Sequence, residues 1–344
     1  MKPRSVLPRR RFLGVAASVA GVSSRLAWGA AGDEGGFTVA LLPDTQFYCE
    51  RHPQILHAQT RWLAEHAAER RIAFALHLGD VTNRNSVEQW GVARDAFARL
   101  GNELPYAMAL GNHDLGPGGE AGDRSSRYGD FFPPDTVRGR PGFLAAMPAE
   151  PDRLENSAWR FPGGGRDWLV LVLEFGPREA VLAWAADVLA AHPRLPAILV
   201  THAYLYHDDT RYDWRAKERQ QDGNPHAYGV ATQPGGVHDG EQLWQSLVSQ
   251  HDSIVLVVNG HVGGDGLARL ESAGGSGHAV QQMLVNFQML NNGGDGWLRL
   301  LEFSADGRTI RARDYSPTLD RWNEGPDHDF TIGIDLPDAA VGPP

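Results

Sequence analysis

Phe74-Ala75-Leu76-His77-Leu78-Gly79-Asp80 runs apolar, reaches a glycine and stops on a carboxylate. The same design recurs along the chain. Val39-Ala40-Leu41-Leu42-Pro43 stops on Asp44, and Ala107-Met108-Ala109-Leu110-Gly111 stops on Asn112, with His113 and Asp114 beside it. Ile198-Leu199-Val200-Thr201 stops on His202, and Val255-Leu256-Val257-Val258-Asn259-Gly260 on His261. Each run has the length and composition of a buried strand, and each ends in an oxygen- or nitrogen-donor side chain. In α/β sheets the carboxyl ends of the strands face the ligand crevice. Five donors far apart in sequence are therefore expected to converge. Gly79, Gly111 and Gly260 are expected to let the backbone turn sharply just before a donor.

Around these strands the early chain alternates with helices. Ile55, Leu56, Gln59, Trp62, Leu63 and His66 recur at helical spacing and predict an amphipathic helix over 55–70. A second helix is expected over 86–100, with Ser86 as N-cap and Gln89 completing a capping box. Further helices are expected over 179–191 and 240–250, with Trp62 and Trp184 on core faces. Residues 159–161 and 168–175 read as paired strands around Gly163-Gly164-Gly165. Residues 111–142 read as loop with a short helix near 124–132. A long polar loop over 203–238 carries Tyr204, Tyr206, Tyr212, Trp214 and Tyr228, too aromatic for simple disorder. The last ninety or so residues read as short strands with glycine-rich turns. Alternating elements first and hairpins later imply an α/β core with mixed sheets.

The N-terminus reads Arg9-Arg10-Arg11-Phe12-Leu13, followed by a small, apolar stretch to Val22. That stretch is about eleven residues, too short for a ~30 Å hydrocarbon core, so no transmembrane segment is expected there. Small residues at Ala27, Gly29, Ala30 and Ala31 suit cleavage. Residues 1–31 are therefore expected to be a secretory signal, with Arg-Arg-x-Phe-Leu resembling a twin-arginine (Tat) signal. The protein is expected to use the Tat export machinery and to be periplasmic or extracellular in a bacterium. The body is expected to be one domain over 36–336.

Lys2, Arg4, Arg9, Arg10, Arg11 and Arg25 all lie in that leader, which has no acids. Of 32 basic and 42 acidic residues, the body keeps 26 basic ones and all the acidic ones, a net charge of −16. Such a body repels nucleic acid and excludes a nucleic-acid scaffold. Cys49 is the sole cysteine, so no internal disulfide can form. No Gly-x-Ser-x-Gly elbow, phosphate-cradling glycine loop or His-Glu-x-x-His helix is present. Two carboxylates, an amide oxygen and two imidazoles make a mixed donor set that suits Mn, Fe or Zn better than Ca or Mg. A carboxylate shared between two such ions would hold them ~3.5–4 Å apart.

Asp44-Thr45-Gln46, Gly79-Asp80-Val81-Thr82-Asn83, Gly111-Asn112-His113-Asp114, Thr201-His202 and Gly260-His261-Val262-Gly263 resemble, in order and spacing, the motif set of calcineurin-like metallophosphoesterases. Gly296-Trp297-Leu298-Arg299 and Tyr315-Ser316-Pro317 resemble the closing strands of exported bacterial members. The resemblance implies a four-layer α/β sandwich, two mixed β-sheets flanked by helices, and one or two divalent metal ions. It implies that Asp80 bridges, that Asn112, His202 and His261 complete one metal position, and that Asp44 holds the other. His113 would stabilise phosphoryl oxygens or protonate the leaving group, and Asn83 would support the loop. The implied activity is hydrolysis of a phosphomonoester or phosphodiester, with a small-molecule substrate favoured over a macromolecule. Two positions depart from the family pattern. Gln46 and Gly263 stand where the family usually has histidine, and both fall on the Asp44 side. Gln46 can ligate through its amide oxygen; Asp265 lies close enough in sequence to substitute for the lost imidazole, but reads first as a solvated loop carboxylate. The rival reading, from these departures and the aromatic loop, is an exported ligand-binding protein on a degenerate phosphoesterase scaffold. His77 reads as a hydrogen-bonded core residue; His207, His226 and His238 read as solvated or substrate-facing.

Overall fold

The computed structural model describes residues 35–101 and 104–337. The expected signal peptide, residues 1–31, lies outside them. In chain order the strands are β1 (Phe37–Leu42), β2 (Ile72–His77), β3 (Tyr106–Met108), β4 (Phe143–Ala146), β5 (Ser157–Gly163), β6 (Arg166–Val172) and β7 (Ala197–Val200). They continue as β8 (Ile254–Asn259), β9 (Leu267–Ala273), β10 (Ala279–Val285), β11 (Leu298–Phe303), β12 (Thr309–Ser316), β13 (Arg321–Asn323) and β14 (Asp329–Gly333).

Two seven-stranded mixed sheets result. One runs β13-β12-β11-β1-β2-β3 with β14 on β12, and the other β4-β5-β6-β7-β8-β10-β9. β1, β2 and β3 are mutually parallel, as are β6, β7, β8 and β10. The central strands β1, β7 and β8 are buried along their whole length, as strands covered on both faces must be, which is why they read as unbroken apolar runs. Between the sheets Phe37 stacks on Phe303 at 4.4 Å and lies 5.3 Å from Trp168 and 5.9 Å from Phe161. Phe74 meets Phe161 at 5.2 Å. Aromatic pairs at these separations add to the area they bury, so this cluster joins the two layers.

Helices cover the outer faces. Pro53–His66 buries Ile55, Leu56, Trp62 and Leu63, with Trp62 against Tyr315 of β12. Val87–Phe97 is capped by Ser86 as expected, through the Gln89 amide. The box is not closed, however, because the Gln89 side chain accepts from the backbone N–H groups of Asn83 and Arg84 instead. Its oxygen is needed there to hold the loop after β2. A closed box forms at Gly240–Ser246, between Asp239 and Gln242, where it was not foreseen. Glu179–Ala191 matches its expected span and buries Trp184. Cys49 is a buried free thiol, and none of the helices among the described residues is long and apolar enough to cross a membrane.

Ion pairs inside a sheet and on a helix surface contribute differently. Arg299 of β11 and Asp314 of β12 are almost fully buried and joined by two 2.7 Å hydrogen bonds. His328 also lies 2.7 Å from Asp314. Breaking a buried pair by removing one partner costs about 3–5 kcal/mol, because the other charge stays buried. Arg299→Ala is expected to lower urea-derived stability by that amount. Arg94→Ala, which breaks the exposed Arg94–Asp95 pair, is expected to stay within about 1 kcal/mol of the parent.

Candidate metal centre

Because β1, β2 and β3 are parallel to one another, as are β7 and β8, their following loops emerge together. Gly79 turns at φ +104° and Asp80 follows at φ +50°, a left-handed conformation unusual for a residue with a side chain. Two loops are then bolted together by Asp114. Its carboxylate accepts from Val81 N (3.0 Å), Thr82 N (2.8 Å), Thr82 Oγ1 (2.9 Å) and Gly111 N (3.0 Å). This clamp fixes Asp80 relative to Asn112 and His113. Burial and the neighbouring Asp80 charge push Asp114 up to about 6, against the pull of the Gly111, Thr82 and Val81 N–H groups.

Asp80, His202 and His261 are buried, and one donor atom of each lies within 4.8 Å of the others. Asp80 Oδ1 is 3.2 Å from His202 Nε2 and accepts from His113 N at 2.9 Å. The rings are oriented by carbonyls. His202 Nδ1 lies 2.8 Å from the Leu78 oxygen and His261 Nε2 lies 2.7 Å from the Gly223 oxygen. A carbonyl only accepts, so those nitrogens carry the protons. In the neutral rings the lone pairs then sit on His202 Nε2 and His261 Nδ1, which are only 3.1 Å apart. Two lone pairs cannot satisfy each other; a proton or a cation must be shared between them. In the metal-free chain burial disfavours charge on His202, but Asp80 and Asp44 outweigh it and raise its pKa to about 9. Burial and the His202 charge lower His261 to about 3. Asp80 is held well below the usual carboxylate range: burial opposes this, but the His202 and His113 charges prevail.

The amide oxygens supply a second test of fit. Asn112 Oδ1 and Gln46 Oε1 are buried without a hydrogen-bond partner. Leaving such a group unpaired costs about 1–3 kcal/mol, a cost that a cation removes. The donor set of carboxylate, two facing imidazole lone pairs and an orphaned Asn112 oxygen fits a divalent cation of the N/O-preferring kind, and carbonyl-oriented imidazoles are the usual outer support of such a site.

The Asp44 end is built differently. Asp44 lies outside the Asp80/His202/His261 group. Both of its oxygens accept from His261 N at 3.1 Å, and Oδ2 also takes Asn286 Nδ2 (3.1 Å) and Gln288 Nε2 (3.3 Å). Gln46 Nε2 donates to Gln288 Oε1. Burial and the Asp80 charge raise Asp44 to about 7, though His202 pulls the other way. Asp44 thus anchors the backbone of His261, which sits at φ +85°. Asp265 is no substitute ligand: it is exposed and accepts from Leu267 N in its own turn. Asn286 and Gln288 were missed by sequence reasoning, although they follow the apolar end of β10 just as the other donors follow their strands.

The glycines act mainly by what they lack. Only Gly79 of the three has the positive φ expected; Gly111 is extended, at φ −96°. A Cβ on Gly111 would lie 2.1 Å from Asp80 Oδ1 and 2.6 Å from His202 Nε2, and one on Gly260 would lie 2.2 Å from Asp44 Oδ1. Those two positions are bare because site side chains occupy the space. Gly111→Ala suits the local backbone angles, but its Cβ would also lie 2.4 Å from Asp80 N, so it is expected to push the Asp80 loop aside and to weaken metal affinity about 100-fold, the upper range for disturbed outer support. Calorimetric titration with Mn²⁺ checks this.

A cleft of about 210 Å³ opens over the centre, lined by Asp80, Asn112, His113, Tyr212, Tyr228, Gln288 and their neighbours. His113 Nδ1 lies 3.0 Å from the Asn83 carbonyl, so Asn83 acts through its backbone. The aromatic segment supplies the cleft wall through Tyr212 and Tyr228, and it contains the short helices Trp214–Lys217, Pro225–Ala227 and Gly229–Thr232. His226 bonds Gln242 and His238 bonds the Pro177 carbonyl; neither lines the cleft. His207 lines a separate surface pocket with Asp209 and Asp265. His77 is a core histidine bonded to Thr45, as its place on a strand implied.

The family model described as "Calcineurin-like phosphoesterase" matches residues 37–265. The Bacillus subtilis (strain 168) protein YvnB, itself uncharacterised, is 25% identical over an alignment of 314 positions that covers 87% of this chain and 22% of that protein. Among solved structures, the purple acid phosphatase PPD1 from yellow lupin (Lupinus luteus) seeds is similar in fold, with a TM-score of 0.50 and 14% identity. That match covers 87% of this chain and 54% of the lupin chain. The chain thus spans about a fifth of its Bacillus relative and about half of the lupin phosphatase.

Proposed function

Because this chain belongs to the calcineurin-like phosphoesterase family, we propose that it is a metal-dependent hydrolase of phosphomonoesters or phosphodiesters with small-molecule substrates. The observation that carries this reading is the pair of imidazole lone pairs 3.1 Å apart beside Asp80, with the orphaned Asn112 oxygen in the same cleft. Asp80, Asn112, His202 and His261 would hold the cation. When bound, a divalent cation supplies Lewis-acid stabilisation of charge on phosphoryl oxygens.

The chain's own groups supply the rest. The Leu78 and Gly223 carbonyls hold the two ligand rings in the tautomers needed. His113, anchored through Nδ1 to the Asn83 carbonyl, presents Nε2 to the substrate. Protonated, it donates to a phosphoryl or leaving-group oxygen as a general acid. Tyr212 and Tyr228 wall the cleft and limit water. In the proposal the protein is exported as a Tat cargo and acts in the periplasm or outside the cell; the motif Arg9-Arg10-Arg11-Phe12-Leu13 supports this.

One observation favours the binding-protein reading: the hydrogen-bonded Asp44 carboxylate and the Gln46–Gln288 amide pair fill the end where the family usually has histidines. Elemental analysis of the purified mature protein, paired with hydrolysis of chromogenic mono- and diesters in added Mn²⁺, decides between them. Turnover with one or two metals per chain supports the enzyme. Metal without turnover supports the binder, and no metal after reconstitution removes both the site and the activity proposed for it.

A further inference from the structure

The cleft over the metal centre is unusual in its charges. Among the described residues that line it are Asp80, Asp222, His113 and His261, and no lysine or arginine. Three basic side chains of the surrounding loops are held in ion pairs, Arg84 with Glu50, Arg211 with Glu241 and Lys217 with Asp208, and Arg215 and Arg219 do not line the cleft. A doubly charged phosphoryl group is ordinarily gripped by guanidinium or ammonium groups, and this wall offers none.

Asp222 is moreover fixed in place. Its carboxylate accepts from the Tyr206 hydroxyl at 2.6 Å, and its backbone oxygen accepts from the Tyr212 hydroxyl at 2.9 Å. The next residue, Gly223, gives its carbonyl to His261 Nε2. At φ +79°, a Cβ on Gly223 would lie 2.6 Å from that nitrogen. Two tyrosines and a site histidine therefore hold a negative charge at the mouth of the cleft, beside the neutral surfaces of Tyr228 and Val262.

We propose that this cleft selects singly charged phosphodiesters over doubly charged phosphomonoesters, with Asp222 as the specificity-determining residue and Tyr206 positioning it. The proposal rests on the hydrolase reading above. A monoester is mostly dianionic above its second pKa of about 6, whereas a diester carries one charge. The Asp222 carboxylate opposes the second charge, and the Tyr228–Val262 wall gives the diester's second substituent a surface without charge.

The test compares kcat/KM for bis(4-nitrophenyl) phosphate and 4-nitrophenyl phosphate at pH 8, using the Mn²⁺-loaded protein, Asp222→Asn and Tyr206→Phe. The parent is expected to favour the diester. Asp222→Asn is expected to lower the diester-to-monoester ratio about tenfold, which cancels the intrinsic reactivity difference of the two esters. Tyr206→Phe, which frees the carboxylate without removing it, is expected to lower the ratio by less. A parent that prefers the monoester, or a ratio unchanged in Asp222→Asn, overturns the proposal while leaving the hydrolase reading standing. Loss of both at once has a separate signature: bound Mn²⁺ with turnover of neither ester.

Discussion

Asp80→Ala is expected to lose metal and turnover together. The Asp80 carboxylate is the one negative ligand among the grouped donors, and its Oδ1 lies within 3.2 Å of His202 Nε2. Without it, the remaining donors are two neutral imidazoles and an amide oxygen, which bind a divalent cation weakly. In the variant, Asp44 and the Leu78 carbonyl remain to offset the burial that opposes a proton on His202, without the Asp80 charge beside it. Catalysis that depends on a cation then falls by the whole of its electrostatic contribution, ~10³-fold or more. Folding is expected to persist, because the loop is held by Asp114 rather than Asp80. The measurements are metal content by elemental analysis, ester hydrolysis and circular dichroism on one preparation. Retained stoichiometric metal in Asp80→Ala would remove this residue from the ligand set.

The donors that could be read from sequence share a local signal. Each of Asp44, Asp80, Asn112, His202 and His261 follows an apolar run, and parallel pairing of β1–β3 and of β7–β8 carries those ends to one side. The sheet-joining aromatics Phe37, Phe74, Trp168 and Phe303 sit in the same kind of strand, so the α/β architecture was legible too. What was hidden depends on contacts between distant segments. Gln288 meets Asp44 across 244 positions, and Asp114 clamps Val81 across 33. Neither residue type at its position announces that partner. The Gly223 carbonyl carries no side-chain signature at all, yet it sets the tautomer of His261. Gly111 and Gly260 were legible as necessary glycines, but for turn-making; the sequence cannot show that Asp80 and Asp44 side chains fill the space beside them. Gln46 and Gly263 flagged an altered Asp44 end, and the structure adds that Asn286 and Gln288 amides occupy the carboxylate there.

His113→Ala separates the chemistry from the metal. His113 touches the centre through its backbone, whose N–H donates to Asp80 Oδ1 at 2.9 Å, and alanine keeps that N–H. Its ring is held off the donor cluster by the Asn83 carbonyl, and it lines the cleft beside Asn112. Metal content is therefore expected to match the parent. Turnover is expected to fall ~10²–10⁴-fold, the range of a positioned general acid. The loss is expected to fall on kcat more than on KM, because a proton delivered to a departing oxygen matters in the transition state rather than in the ground state. It is also expected to shrink when the ester's leaving group is a 4-nitrophenolate, whose low basicity needs little protonation, and to grow for an alkoxide leaving group. A variant that loses metal, or that loses rate equally for both leaving groups, would assign His113 to holding the site rather than to assisting departure.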